Sequence, residues 1–261
     1  MASGIINIAS RAAYAAANAI QLGSRDMGKL HIEKKGHNNY ATELDKKAEQ
    51  IIIDTIKKAF PSHNILAEES GTENNNSECT WIIDPIDGTT NFMHTHPQYS
   101  ISIAFKEGDK VTQGVILDPN RNDLYHAEIG KGAFLNDKRI RVTKVNYLED
   151  ALLATGFPHT DLSILDKYLQ IFKDMLLHTQ GHRRQGSAAL DLAYVAAGYL
   201  DGFWEFGLAQ WDIAAGYLLV KEAGGMVTDF AGNQDFWASG NVVAANPKLI
   251  SQILKVIQAH L

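Results

Sequence analysis

Trp81-Ile82-Ile83-Asp84-Pro85-Ile86-Asp87-Gly88-Thr89-Thr90-Asn91-Phe92 decides how this chain is read. An apolar, strand-like run ends in a carboxylate. Pro85 and Ile86 follow, and a second carboxylate precedes Gly88-Thr89-Thr90. Two acids so spaced in a tight turn can point the same way. With a turned-in backbone carbonyl they offer hard oxygen ligands of the kind Mg²⁺ takes. The Gly-Thr-Thr that follows offers backbone N–H groups and a hydroxyl to a phosphate, especially if a helix starts there. Metal carboxylates joined directly to a phosphate cradle point to metal-assisted phosphoester hydrolysis.

One turn does not fill a hard-metal site, so carboxylates at other element ends are candidates. Asp45 falls in the first turn of a helix, and Glu68 follows a short strand. Glu205 ends a strand, and Asp212 sits where Trp211 hands over to a helix. Each has a plainer reading. Asp45 and Asp212 would serve as ordinary helix caps, Glu68 and Glu69 as a solvated loop pair, and Glu205 as a strand-end charge. Beside Asp84 and Asp87 the four become a constellation.

The flanking pattern supplies the frame. Ile5, Ile8, Ala12, Ala15 and Ala19 recur at helical spacing in a first amphipathic helix. A second helix runs from about Glu43 to Phe60, opened by Thr42-Glu43-Leu44-Asp45 as a capping box with Asp for Glu. Asn64 to Ala67 reads as a strand and Gly71 to Glu78 as a mobile surface loop. Tyr99 to Phe105 and Val111 to Leu117 read as a hairpin turning at Glu107-Gly108-Asp109, with Asp123 to Ala127 a further strand. The second half mixes strands at Leu152–Thr155, Asp201–Phe206, Met226–Asp229 and Val242–Ala245 with helices at Leu162–His178, Ser187–Ala197, Asp212–Ala223 and Pro247–His260. A hairpin-rich first half and a mixed second half predict an α+β layered protein.

The chain has 261 residues, 45% hydrophobic and 21% charged, enough for a large core without staples. Residues 1–261 are expected to form a single unit with two lobes, about 1–145 for metal and phosphate and 146–261 for substrate. One cysteine, Cys79, excludes an intramolecular disulfide and favours a reducing, cytoplasmic setting. The net charge of −6 argues against direct nucleic-acid binding, and the Lys34-Lys35 and Arg183-Arg184 doublets are too short for a basic track. No apolar run approaches the ~20 residues of a membrane span, and the Ala-rich start lacks the basic opening of a signal peptide.

The whole chain resembles the inositol monophosphatase family. The resemblance is carried by Leu66-Ala67-Glu68-Glu69-Ser70, by Trp81 to Asn91, by Gly186-Ser187-Ala188-Ala189-Leu190 and by Trp211-Asp212-Ile213-Ala214-Ala215-Gly216, in the family's order and spacing. Arg183 to Tyr194 and Asp201-Gly202-Phe203-Trp204-Glu205 look like its bacterial branch. It implies a layered αβαβα sandwich of the sugar-phosphatase type, dimeric, hydrolysing inositol monophosphates and related sugar or polyol phosphates with two or three Mg²⁺ ions and inhibited by lithium. It implies that Glu68, Asp84 and the Ile86 carbonyl hold one ion and that Asp84, Asp87 and Asp212 hold another, with Glu68 reaching a weaker third. It further implies that Thr89 and Asp45 orient and deprotonate water, and that the Gly88 and Thr89 backbone binds phosphate. Glu205 would bind sugar hydroxyls with Asp87 and the Gly186, Ser187, Ala188 segment nearby, Arg183 would lie at the substrate rim, and Arg184 near a dimer contact. Many relatives carry Asp where Asn39 stands and Val where Ala41 stands, which leaves the loop conformation there open. Lys35 reads as a surface lysine, and His94 and His96 as rim or surface histidines.

The chemistry stands without the family. A phosphate monoester repels hydroxide and its uncatalysed hydrolysis is among the slowest known, so cations at both the entering and leaving oxygens serve it well. Three alternatives compete. A haloacid-dehalogenase-like phosphatase reads Asp-x-Asp-x-Thr, which the Pro85-Ile86 spacer does not match. A fructose 1,6-bisphosphatase or 3′-phosphoadenosine 5′-phosphate phosphatase of the same fold needs a second anion site, and no basic cluster is dedicated to one. A partner-binding regulator of transcription and ribosomal RNA maturation, a role of similar bacterial proteins, is compatible with the acidic balance if the partner is a protein.

Overall fold

The computed structural model describes residues 3–25, 32–36, 39–158 and 161–261. The side chains of Lys34, Lys35, Asn39 and Ala41 lie outside the described residues. The chain opens with α1 (Gly4–Gly23), a hairpin of β1 (Ile32–Gly36) and β2 (Asn39–Thr42), and α2 (Glu43–Ala59). Then come β3 (Asn64–Ala67), β4 (Gly71–Glu73), β5 (Cys79–Asp87), α3 (Thr89–Met93), β6 (Ser100–Glu107), β7 (Lys110–Asp118), β8 (Asp123–Glu128), β9 (Gly132–Leu135) and β10 (Lys138–Arg139). The remainder holds β11 (Leu152–Thr155), α4 (Leu165–His178), β12 (Gly181–Arg183), α5 (Ala188–Ala197), β13 (Gly202–Glu205), α6 (Gln210–Glu222), β14 (Met226–Thr228), α7 (Phe236–Ser239), β15 (Val242–Ala245) and α8 (Ile250–Gln258).

Two larger sheets result. One has eight strands in the order β10-β9-β8-β7-β6-β5-β3-β4, antiparallel except for the β3–β5 pair. The other has five, in the order β12-β11-β13-β15-β14, with β11 parallel to both its neighbours. Strand alternation sorts their side chains into three cores. Trp81 and Ile83 of β5, Ile101 and Ile103 of β6 and Val115 and Leu117 of β7 pack with α1 and α2. Ile82, Ala104 and Ile116, from the opposite face of those strands, pack with α5 and α6 and with Phe203, Val242 and Ala244 of the second sheet. Trp204, Val243 and Ala245 turn to the far side and pack with α4 and α8. The layers are therefore α1/α2, first sheet, α5/α6, second sheet, α4/α8, the αβαβα order expected. No helix among the described residues is long and apolar enough to cross a membrane.

Local chemistry explains the boundaries, including those the sequence misplaces. The capping box is real: Leu44 N–H donates to Thr42 Oγ1 at 3.2 Å, and Thr42 N–H donates to Asp45 Oδ2 at 2.8 Å. In α1 the buried face is Ile6, Ala9, Ala12, Ala13, Ala16, Ala17 and Ile20, rotated from the face through Ile5, Ile8, Ala15 and Ala19. Alanines occur almost all round this helix, so periodicity alone does not choose its orientation. The loop expected from Gly71 begins instead with β4, whose Thr72 pairs with Leu66 at the sheet edge. The last helix starts at Ile250 rather than Pro247, because Asn246 Oδ1 accepts from Lys248 N–H at 2.8 Å and Leu249 N–H at 3.0 Å and holds a turn there.

The alanine stripe lets α1 lie close to α2. Ala16→Leu tests this: it gains apolar area and keeps a good helix former, yet it overfills a fully buried position. We expect a loss of about 1–3 kcal/mol in a denaturant melt, with site activity retained at low temperature. Unchanged or increased stability would mean the stripe has room to spare.

Candidate metal and phosphate site

Asp84 and Asp87 share a face because β5 carries a bulge. Asp84 pairs with Ser102 of β6 and Asp87 with Ser100, so β5 advances three residues where β6 advances two. Strict alternation would send residues three apart to opposite faces, and the extra residue brings them back together. Pro85 sits inside the bulge, where its missing N–H interrupts no regular ladder. The turn expected after Asp84 is thus a bulge in a strand that continues to Asp87. Within it Ile86 N–H donates to Asp84 Oδ1 at 3.0 Å.

Three more elements converge on this point. Parallel pairing of β3 with β5 puts Ala67 beside Ile83, so Glu68 emerges next to Asp84, and its N–H donates to Ile83 O at 3.2 Å. Asp212 stands in the first turn of α6, where Ala209 N–H donates to its Oδ2 at 2.7 Å. Asp87 reaches the N-terminus of α5: Ser187 Oγ donates to its Oδ2 at 2.5 Å and Ala189 N–H at 2.8 Å. One carboxylate oxygen from each of Asp84, Asp87 and Asp212 lies within 4.8 Å of the others.

Such crowding has an electrostatic consequence. Burial pushes the Asp84 carboxyl well above the usual range, and the charges of Glu68, Asp87 and Asp212 push it further. Burial and Asp87 do the same to Asp212. Burial also raises Asp87, although its hydrogen bonds to Ser187 and α5 oppose the shift. Among the described residues no Lys or Arg pairs with any of the three. A buried, all-oxygen donor set with no cationic side chain fits a hard divalent cation.

The adjoining turn admits only glycine at its head. Gly88 has φ 98°, and a Cβ there would come within 2.9 Å of Gly186 O and 3.1 Å of Gln98 O. Only glycine meets both demands. Thr89 opens α3, and its Oγ1 donates toward Ile86 O at 3.0 Å and Asp45 Oδ1 at 3.2 Å. Burial raises Asp45 to about 6, with its Thr42 hydrogen bonds opposing and Glu69 adding to the shift. Asn91 Nδ2 donates to both Gln98 O and Gln185 O at 2.7 Å, tying α3 to the Gly186–Ala188 segment.

Glu205, at the end of β13, faces the same region from the second sheet. Burial lifts its carboxyl to about 8, Arg184 opposes this, and Asp191 and Asp87 reinforce it. Gly156 leaves it room, since a Cβ there would meet Glu205 Oε1 at 1.8 Å. The adjacent arginines diverge. Arg184 acts on Glu205 and stacks over Phe157 at 5.0 Å. Arg183, expected at the substrate rim, lines a groove of about 270 Å³ with Arg121, Tyr125, Gln185, Tyr194 and Tyr199. His94 and His96 are exposed beyond α3, and Cys79 is a half-buried free thiol.

Two buried acids beside this region escaped the sequence reading. Asp191 is 1% exposed on α5 and accepts from Gln185 Nε2 at 2.8 Å. Glu49 is 3% exposed and accepts from the N–H groups of Glu69 and Ser70, both at 2.8 Å. The available signal for Glu49 was its spacing, four residues after Asp45 and so on the same side of α2.

A model of the inositol monophosphatase family matches residues 1–261. The chain is 47% identical over 256 residues to the putative Nus factor SuhB of Neisseria meningitidis serogroup B, covering 98% of each. The solved structure of extragenic suppressor protein suhB from Bartonella henselae superposes with a TM-score of 0.96 at 40% identity, over 99% of this chain and 100% of that one. An inositol monophosphatase from Anabaena (Nostoc) sp. PCC 7120 superposes with a TM-score of 0.85 at 35% identity, over 98% and 96%. With its five-layer fold and its cluster of buried carboxylates, the chain belongs to the inositol monophosphatase family.

Proposed function

We propose that the chain is a Mg²⁺-dependent phosphatase acting on inositol monophosphates and related polyol phosphates through activated water, with no phosphoenzyme. The observation that carries this is the convergence of Asp84, Asp87 and Asp212 beside the Thr89–Asp45 pair. Glu68, Asp84, Asp87, Asp212 and the Ile86 carbonyl would hold the two or three ions. Bound there, Mg²⁺ supplies positive charge against the doubly charged ester, acidifies water and stabilises the leaving alkoxide.

The protein's own groups do the rest. Thr89 Oγ1 lies within 3.2 Å of Asp45 Oδ1, so it can take a proton from the attacking water as its own passes to Asp45. Asp45, at about 6, is mostly ionised at neutral pH and ready to accept it. The first N–H groups of α3, at the Gly88-Thr89 turn, would receive the phosphate. Glu205 would accept from substrate hydroxyls, with Ser187, Ala188 and Gly186 forming the adjoining wall. An unphosphorylated polyol face suits this region better than a second phosphate, since the carboxyls of Glu205, Asp87 and Asp191, protonated or ionised, offer a phosphate no positive charge.

The first assay is phosphate release from inositol 1-phosphate with Mg²⁺, with EDTA and with lithium. Mg²⁺-dependent, lithium-sensitive release is expected, and a folded protein that binds Mg²⁺ but releases nothing would sink the substrate assignment. Asp87→Asn should lower kcat/KM by at least about 100-fold, because it removes a charged ligand and little volume. Glu205→Ala should raise KM for inositol 1-phosphate more than for an aryl phosphate. Equal effects on both would remove Glu205 from hydroxyl recognition.

The carboxylate shifts also predict a pH dependence of stability. Acids raised on folding keep protons that the unfolded chain loses above its ordinary aspartate value of 3.8, so the metal-free protein loses stability as pH rises from there toward the raised values. Mg²⁺ displaces those protons, so its stabilising effect grows with pH. Between pH 6 and 8 the Mg²⁺-induced rise in Tm should increase. Asp84→Asn should raise the metal-free Tm at pH 8 and abolish the response to Mg²⁺. A response independent of pH would contradict this account.

The Nus factor names of close relatives support a second role, in which a transcription-machinery protein binds this chain. If the roles are separate, Asp84→Asn will lose hydrolysis and still capture that partner as wild type does; loss of both would join them.

A further inference from the structure

Glu49 is a buried acid that the proposed mechanism does not use. It lies in α2, one turn after Asp45, on a buried face with Leu44, Ala48, Ile52, Ile53 and Ile56. Burying a carboxylate among such residues is costly unless its oxygens are satisfied. Among the described residues no Lys or Arg pairs with it. Its hydrogen bonds go instead to the main chain: Oε2 accepts from Glu69 N–H and Oε1 from Ser70 N–H, each at 2.8 Å. These are charge-assisted and bidentate, a geometry that fixes direction as well as distance.

The segment so held is the link between β3 and β4, and its first residue is Glu68. On the near side Glu68 N–H is bonded to Ile83 O at 3.2 Å, and on the far side the next two N–H groups end on Glu49. Glu68 therefore has its own backbone fixed to β5 and its following peptides fixed to α2. Between those anchors its carboxyl faces Asp84 closely enough for its charge to raise the Asp84 pKa. Packing alone would be served by a leucine at position 49. A carboxylate there is explained by the two N–H groups it receives.

We propose that Glu49 is a positioning residue that sets the Glu68 carboxyl against Asp84 by clamping the Glu69 and Ser70 amides. One helix then serves the site twice, since Asp45, one turn earlier, abuts Thr89. The proposal rests on the reading of Glu68 and Asp84 as metal-holding groups.

The test is direct Mg²⁺ binding by calorimetry, with Mg²⁺-induced Tm shifts, on wild type, Glu49→Gln, Ile52→Val and Asp84→Asn. In Glu49→Gln the amide nitrogen faces one of the two N–H donors, so one bond is lost and a donor–donor contact replaces it. The Mg²⁺ dissociation constant should rise about tenfold, while kcat at saturating Mg²⁺ stays within about threefold of wild type. Ile52→Val, a buried change on the same helix, should lower the metal-free Tm and leave the Mg²⁺ constant unchanged, which separates positioning from general destabilisation. If wild type binds Mg²⁺ and Glu49→Gln binds it equally well, the role of Glu49 is overturned and the metal reading stands. If wild type shows no binding that Asp84→Asn removes, the metal reading falls, and this inference with it. Should Glu49→Gln fail to fold, Glu49→Asp, which keeps the charge but retracts it, goes through the same titration with the same expected weakening.

Discussion

The single extra residue in β5 is the constraint on which the site depends. Asp84 and Asp87 belong to a strand whose other residues are committed to two different cores, Trp81 and Ile83 to one and Ile82 to the other. Those commitments fix the phase of alternation up to Asp84. Without the bulge the phase would continue and Asp87 would point away from Asp84. With it, Asp87 lies opposite Ser100 and reaches Ser187 and Ala189 on α5. The bulge also explains the order of residue types. Proline is tolerated where ladder pairing is already interrupted, and glycine follows where the chain must turn left-handed under two carbonyls.

That arrangement carries an electrostatic cost that the scaffold absorbs. Three aspartates face one another with no Lys or Arg of the described residues paired to them, and burial raises all three. Each is restrained by a hydrogen bond from a different source: Ile86 N–H for Asp84, the start of α5 for Asp87, and Ala209 N–H for Asp212. The restraints come from backbone groups of β5, α5 and the start of α6, which are fixed by their own packing, so the carboxylates do not relax apart. A site held open in this way gives up folding stability to be ready for a cation.

Much of this was legible in the sequence, and the reasons differ from residue to residue. Asp84, Asp87, Gly88 and Thr89 are adjacent, so their joint chemistry shows in the string itself. The Thr42–Asp45 capping box was readable because it is local. Glu68, Asp212 and Glu205 were placed at element ends, which depends only on where apolar runs stop. The bulge was read as a turn, since a one-residue register shift leaves no mark beyond the proline. Glu49 carried only its spacing from Asp45 as a signal, because its role depends on two amides twenty and twenty-one residues away. The divergence of Arg183 and Arg184 follows from the backbone between a short edge strand and a helix cap, which doublet composition does not record. The face of α1 was misjudged because an alanine-rich helix has little contrast between its sides.

The location of the site explains why these long-range contacts matter. Glu68, Asp84 and Asp87 come from the first sheet, Asp212 and the cap of α5 from the middle helices, and Glu205 from the second sheet. Asp45 and Glu49 come from the outer helix α2. Four consecutive layers therefore contribute, and no single core sets the geometry. Side chains that bond across layers must hold the register: Asp87 to Ser187 and Ala189, Asn91 to the Gln98 and Gln185 carbonyls, and Ser102 Oγ to Trp211 O at 3.2 Å. Close packing within each core resists compression but tolerates small sliding between layers. Directional bonds to backbone groups resist that sliding, which is why they cluster around the carboxylates.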